Sequence, residues 1–284
     1  MRLREQAART YSWGARHDQG PRGSCAVHDQ ITPVILTYNE APNIGRTLDR
    51  LTWAPDIVVV DSASTDDTLA IARRYSNVRV FVRPFDNHAN QWTFGQAETG
   101  IRTEWMMRLD ADYVLTEGLV AEIGALAPRP DIAAYRTRFV YCVHGRRLRA
   151  TLYPPRPRLF RRARGRFHQD GHTDEVAIDG AVADLRHPIL HDDRKPLAHW
   201  VASQNRYMGL EAAKLADAAF GELGLADRLR RCTYVMPFVT FFYALLVRGL
   251  ILDGRAGLHY CFQRTAAEFI LKLYLIDREL ARGD

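Results

Sequence analysis

Asp110 and Asp112 stand two residues apart, directly after the apolar run Trp105–Leu109. Two carboxylates at i and i+2 on the exit of a strand can reach one site. Such oxygen donors suit a hard divalent cation, which takes carboxylate ligands and bridges phosphate oxygens. Carboxylate pairs also occur in capped loops, so position decides between the readings. Asp61 likewise ends an apolar run, Ile57–Val60. Its carboxylate can accept from a nucleotide base or ribose; the other reading is helix capping by Asp61 or Ser64. Tyr38, Asn39 and Glu40 close a third run, Ile31–Thr37. Tyr38 can pack on a base and Glu40 can accept from it. Asn39, shortly before Pro42, also suits an Asx-type turn.

The elements that must carry these clusters alternate. Strand-like runs at Ile31–Thr37, Ile57–Val60, Val78–Val82 and Trp105–Leu109 are separated by helical stretches. These span Asn43–Leu51, Asp67–Tyr75 and His88–Ile101. Ile44, Leu48 and Leu51 share one helical face, Ser64 to Asp67 resembles a capping box, and Thr116 caps a further helix. The order β-α-β-α-β-α-β predicts a parallel sheet covered on both faces. Ligands of such sheets sit at the carboxyl ends of the strands. There Thr37 to Glu40, Asp61-Ser62 and Asp110 to Asp112 converge on one edge. Residues 132–192 read as irregular strands with loops.

The 284 residues are 47% hydrophobic and 25% charged, enough for one large α/β domain with an appendage. The net charge of +6 suits anionic partners without choosing among phosphates, acidic lipids and nucleic acid. Cys25, Cys142, Cys232 and Cys261 form no Cys-x-x-Cys pair, which argues against structural zinc and a disulfide framework and for a reducing compartment. His168 and His172 stand at i and i+4 without a third ligand at zinc-protease spacing. The first residues hold no apolar stretch of the secretory kind, and residues 1–30 read as a poorly ordered extension. No Gly-rich phosphate loop or Walker motif is present.

Nine arginines fall between Arg146 and Arg166, interleaved with Tyr153 and Phe160. They read either as a solvated face or as forks for phosphate on donor or acceptor. No RNA-binding motif accompanies them, so no nucleic acid partner is expected. Leu197, Trp200, Val201, Gln204, Tyr207 and Met208 line one stripe of a long helix from Pro196 to about Phe220. Tyr234–Leu252 is almost wholly apolar, with Arg248 near its end, and Leu258–Ile276 is mixed. Pro237 and that mixture favour helices lying in a membrane interface over a span. A buried core helix is the competing reading.

Three strings carry a family resemblance. Pro33-Val34-Ile35-Leu36-Thr37-Tyr38-Asn39-Glu40 looks like the opening motif of family 2 glycosyltransferases of the GT-A fold. Trp53-Ala54-Pro55-Asp56 through Asp61-Ser62-Ala63-Ser64-Thr65-Asp66-Asp67-Thr68 resembles their second motif. Glu104-Trp105-Met106-Met107-Arg108-Leu109-Asp110-Ala111-Asp112 resembles their DxD motif. The likeness is specific over about residues 31–125. It continues loosely to about 276, where it is similar to the lipopolysaccharide-core glucosyltransferase-like branch.

The resemblance implies a fold and a site. The fold would be a GT-A, Rossmann-like α/β domain at 31–195, with a mostly parallel sheet flanked by helices. A helical, membrane-associating region would follow at 196–284. Thr37, Tyr38, Asn39, Glu40, Asp61, Ser62, Asp110 and Ala111 would hold a nucleotide sugar. Asp112, with Asp110 and a late His191, would bind Mg2+ or Mn2+, and the cation would neutralise the departing diphosphate. Family members usually invert at the anomeric carbon and need a carboxylate base. Related enzymes often carry a His-Glu pair where this chain has Gln169-Asp170-Gly171-His172-Thr173-Asp174-Glu175, so Asp170, Asp174 and Glu175 are candidates, with Asp170 favoured beside Gly171. Tyr113 replaces the Glu common in relatives.

The implied activity is hexosyl transfer, most simply from a uridine-diphosphate sugar, to a lipid-linked or cell-envelope saccharide at the cytoplasmic face of the cell membrane. The competing classes are a nucleotidyltransferase and a non-catalytic basic RNA- or membrane-binding protein on the same fold.

Overall fold

The computed structural model describes residues 27–170 and 173–283. It opens with a 3-10 turn, Val27–Gln30. His28 lies 4.4 Å from the Trp53 ring, and Val27 packs on the core. Residues 27–30 of the expected loose extension are therefore part of the folded body. Residues 1–26 lie outside the described residues.

The expected alternation follows. β1 (Ile31–Thr37), α1 (Ile44–Leu48), β2 (Ile57–Asp61), α2 (Thr68–Ala72), β3 (Val78–Val82), α3 (His88–Ala97) and β4 (Trp105–Asp110) succeed one another. β1 lies between β2 and β4, all parallel, with Thr37 opposite Asp61 and Leu36 opposite Asp110. Side chains alternate across the sheet. Ile35, Val59, Met107 and Leu109 face α1 and α2, whereas Val34, Val58, Val60 and Met106 face Trp92 of α3. Burial on both faces is why these strands read as unbroken apolar runs. α1 and α2 are shorter than their apolar spacing suggested. At α2 the capping role falls to Asp66, whose Oδ1 accepts from the Thr68 N–H at 3.0 Å.

β5 (Tyr113–Leu115) and α4 (Glu117–Gly124) come next, and the Thr116 hydroxyl caps α4 by accepting from Leu119 N–H. The irregular stretch resolves into eight short strands. They are β6 (Ile132–Thr137), β7 (Phe139–Val143), β8 (Arg146–Arg147), β9 (Arg156–Arg161), β10 (Gly165–Asp170), β11 (Thr173–Ile178), β12 (Ala181–Asp184) and β13 (Ile189–His191). β9 enters the main sheet antiparallel, beside both β4 and β6, so the strand order is β12-β6-β9-β4-β1-β2-β3. β13 lies between β5 and β7 in a smaller sheet. The β10–β11 hairpin covers α3, with Phe167 stacked 5.9 Å from Trp92.

The C-terminal part is helical: α5 (Leu197–Asp217), α6 (Leu225–Cys232), α7 (Met236–Phe242) and α8 (Gly254–Arg282). α5 buries Gln204, Met208, Glu211, Ala212 and Leu215, so its inward stripe starts later than expected and leaves Leu197 and Val201 exposed. The apolar segment 234–252 is broken. A π turn at Tyr243–Val247 and a 3-10 turn at Leu250–Asp253 flank Gly249, whose φ of 72° is left-handed and stops the helix. No single described helix is long and apolar enough to cross a membrane; one pair passes together but bends by 72°. α8 begins hard against the 3-10 turn, where a Cβ on Gly257 would stand 1.9 Å from the Leu250 carbonyl oxygen.

Candidate functional site

The strand ends meet as their types suggested. Asp61 is 0% exposed and spends its carboxylate on its surroundings. It accepts from the Thr37 hydroxyl at 3.0 Å, from Ser64 N–H at 2.8 Å and from the Ser64 hydroxyl at 2.5 Å. Ser64 in turn accepts from Asn39 N–H, and Asn39 Oδ1 accepts from Thr65 N–H, both at 2.8 Å. Asn39 and Ala63 both have left-handed φ, 54° and 63°. The two loops after β1 and β2 are thus sewn together: Asp61 braces its own loop rather than capping α2, and Asn39 bonds across to Thr65 rather than closing a local Asx turn. Ser62 accepts from Gln91 at 2.9 Å, while the Tyr38 ring is half exposed beside these loops.

Glu40 points the other way. Its carboxylate accepts from Lys195 Nζ at 2.5 Å and from Asn43 Nδ2 at 2.7 Å. Burial and then the charge of Asp112 push its pKa up to about 7, against Lys195 and Asn43. Asn43 also donates to Asp193, and Arg46 of α1 pairs with Asp192 at 2.8 Å. The segment after β13 is therefore clamped to α1.

That clamp brings His191 to the acidic pair. His191 Nε2 lies 3.0 Å from Asp112 Oδ2, and Asp192 N–H donates to the Asp112 carbonyl at 3.0 Å. Burial opposes charge on the imidazole, but Asp112 overrides it and lifts the pKa to about 9. Ala111 is buried and its carbonyl accepts from Thr47 at 2.6 Å. Asp110 leaves β4 beside Arg158, Arg108 and Tyr113. Burial would raise its pKa, yet Arg158 and then Arg108 outweigh that and hold it below the ordinary value. Tyr141, Tyr113 and Tyr153 wall His191, with ring centroids 4.8, 5.2 and 5.4 Å away.

The three candidate bases do not share a place. Gly171 and His172 lie outside the described residues. Asp170 pairs with Lys214 of α5 at 2.5 Å, and Glu175 pairs with Arg156 at 3.0 Å on an exposed edge. Alternation along β11 turns Asp174 to the opposite face from Glu175. There Asp174 meets the Arg108 guanidinium at 2.7 Å, both side chains nearly buried. Its Oδ2 is buried without a hydrogen-bond partner among the described residues. Burial lifts Asp174 above the ordinary carboxylate range despite Arg108. A small open pocket beside it is lined by Arg108, Arg156, Asp174 and Glu175.

A family model described as glycosyl transferase family 2 matches residues 32–179, more than half of the chain. The chain belongs to glycosyl transferase family 2. An uncharacterized glycosyltransferase of Rickettsia felis is 38% identical over 96 residues, which cover 34% of this chain and 33% of that one. The match thus spans about a third of that relative's length. The lipopolysaccharide core biosynthesis glycosyltransferase LpsC of Rhizobium meliloti is 26% identical over 242 residues, 80% of this chain and 84% of LpsC. Among solved structures, the mannosyltransferase PcManGT from Pyrobaculum calidifontis, in complex with GDP-Man and Mn2+, is 18% identical with a TM-score of 0.49, covering 87% and 85% of the two chains. The α/β architecture agrees with the GT-A expectation for this family.

Several residues of this family 2 site escaped sequence reasoning. Arg108 sits in the otherwise apolar run of β4, stacks 4.6 Å over Trp92 and is 9% exposed. Its signal was present: one charge on a strand buried on both faces. Arg158 was hidden among nine arginines. It is 6% exposed, lies 4.9 and 5.0 Å over the Tyr113 and Phe139 rings, and donates to the Tyr113 hydroxyl at 3.2 Å. Lys195 gave no sequence signal because its partner Glu40 lies 155 residues away, and Asn43, though three residues from Glu40, also holds Asp193 across 150 residues.

Proposed function

We propose that the chain transfers a hexose from a nucleoside-diphosphate sugar, with uridine the default base, to a saccharide acceptor. The reading has inversion at the anomeric carbon and dependence on Mg2+ or Mn2+. One observation carries it: Asp112 and His191, far apart in sequence, meet at 3.0 Å beside Asp110, at the carboxyl ends of parallel strands.

The donor set fits a cation in part. Asp112 and His191 offer oxygen and nitrogen at a separation close to the roughly 3 Å between neighbouring ligands of an octahedral ion with bonds of about 2.1 Å. Asp110 stands beside them but faces Arg158 and Tyr113. Among the described residues no three such side chains form a ready metal group. The cation, when bound, neutralises charge on the leaving diphosphate. Asp112 and His191 would hold it, and Asp110 would reach it or the ribose.

The residues of the chain do the rest. Thr37, Asp61, Ser64 and Asn39 fix the two loops that receive the nucleotide, and Tyr38 offers a ring for its base. Asp174 is the carboxylate best suited to act as base, since one of its oxygens is free and burial makes it more basic. It takes the proton of an acceptor hydroxyl as that oxygen bonds the anomeric carbon. The bond from that carbon to the diphosphate breaks on the opposite face, and the nucleoside diphosphate leaves with the electron pair.

The acceptor in this reading is a lipid-linked or cell-envelope saccharide, met at the cytoplasmic face of the cell membrane. The likeness to LpsC supports that class. The test is a panel of nucleotide sugars incubated with the purified protein and Mn2+, with release of nucleoside diphosphate measured. Release that needs the cation and is abolished by Asp112→Asn supports the reading. No release from any donor, or pyrophosphate release from a nucleoside triphosphate and a sugar phosphate instead, overturns it.

A further inference from the structure

The turn between α7 and α8 carries apolar side chains that no described element covers. Phe238, Phe242 and Leu246 recur every four residues and are 55%, 55% and 57% exposed. Val247 at 72%, Ile251 at 53% and Leu252 at 69% continue the surface over the two turns. Ring contacts of Phe238 with Phe269 and of Phe241 with Phe262 join α7 to α8 and extend the apolar surface to the exposed Phe262 and Phe269. Single exposed apolar residues are ordinary; a contiguous patch marks an interaction site.

Arginines rim this patch. Arg146 and Arg147 of β8 line one open pocket together with Leu252, Gly254 and Ala256. Arg255 follows directly and is exposed. Among the described residues none of the three has an ion-pair partner. The acid of the turn, Asp253, is already taken by Arg149 at 3.0 Å. Apolar tips ringed by free cations match a surface that is apolar inside and anionic outside. The 72° bend and the short broken helices suit elements lying along such a surface.

The patch also adjoins the reaction site. Tyr260 of α8 packs 4.8 Å from Tyr141, which packs 4.8 Å from His191. We propose that this face docks into the headgroup layer of an anionic lipid bilayer. α7, the π turn and the 3-10 turn enter the apolar boundary, and Arg146, Arg147 and Arg255 meet lipid phosphates. The acceptor's place beside the docked face rests on the proposed function; the docking itself rests on the surface alone.

The test is cosedimentation of the full chain with phosphatidylcholine vesicles, with and without about one third phosphatidylglycerol. The wild type pellets with the anionic vesicles. Val247→Asp and Leu252→Asp each weaken binding by about tenfold or more. Arg146→Gln with Arg147→Gln weakens binding to anionic vesicles by about 25-fold, about fivefold for each charge, and leaves phosphatidylcholine binding unchanged. Wild type that stays in the supernatant, or aspartate variants that pellet like wild type, overturn the proposal. So does a concentration-dependent dimer in the ultracentrifuge that Leu252→Asp makes monomeric, because the face then joins two copies. Donor hydrolysis without vesicles is measured on the same proteins: its loss in wild type sinks the transferase reading alone, and vesicle binding decides the docking.

Discussion

The Asp112 carboxylate and the His191 imidazole meet at 3.0 Å because β13 pairs with β5, setting His191 opposite Tyr113. At the proposed cation site this imidazole must be neutral to bind, whereas Asp112 keeps it protonated up to about pH 9. Apparent Mn2+ affinity is therefore expected to rise by up to about tenfold per pH unit from 7 to 9 and then level off. Calorimetric titrations at several pH values check this, and His191→Ala should flatten the dependence as well as weaken binding. A pH-independent affinity in the wild type would remove His191 from the ligand set.

The same pair makes a stability prediction with a definite sign. A histidine whose folded pKa lies above its ordinary 6.5 stabilises the fold fully below 6.5 and loses that contribution as pH rises through about 9. In chelator, the melting temperature of the wild type should fall more between pH 7 and 9.5 than that of His191→Ala. Equal slopes would contradict the coupling.

Asp174 and Asp170 separate cleanly as bases. Asp174→Asn should lower kcat by about 100-fold or more at nearly unchanged donor KM. Asp170→Asn, which releases Lys214, should stay within about threefold of wild type. The reverse order in steady-state kinetics would transfer the role to Asp170.

Arg108→Met strands Asp174 as a buried, unpaired carboxylate. Breaking a buried pair from one side costs about 3–5 kcal/mol, so the denaturation midpoint should fall clearly. Arg108→Met combined with Asp174→Leu should recover much of the loss. A single variant as stable as wild type would mean that the pair is not closed in solution.

Gly257→Ala tests the seat of α8. The added methyl would collide with the Leu250 carbonyl, so the turn must shift, at about 1–3 kcal/mol. Thermal melts measure it, and an unchanged melt would show that the turn gives way freely.

The first half of this fold was legible because its strands are buried on both faces and its helices carry their own periodicity. Val58, Val59 and Val60 announce a central strand whatever follows. The other half was not. β8 has two residues, and β5 and β13 three each, too short for any period to show. The roles of Arg158 and Lys195 come from pairing across long loops, which no local pattern encodes. Asp61 was legible in place but not in partner: its run ends at the sheet edge, while its hydrogen bonds depend on the left-handed turn at Ala63. Likewise the break at Gly249 lay inside an apolar stretch whose length alone suggested something longer.

β13, laid late into a sheet whose other members were made earlier, orders events during synthesis. Translation delivers Asp61, Asp110 and Asp112 first, and the strand bearing His191 only after the whole arginine-rich stretch has left the ribosome. A nascent chain can shape the loops after β1 and β2 yet still lack the imidazole and the Lys195 clamp. The proposed cation site is thus completed only at that point, just before the helices with the apolar surface emerge.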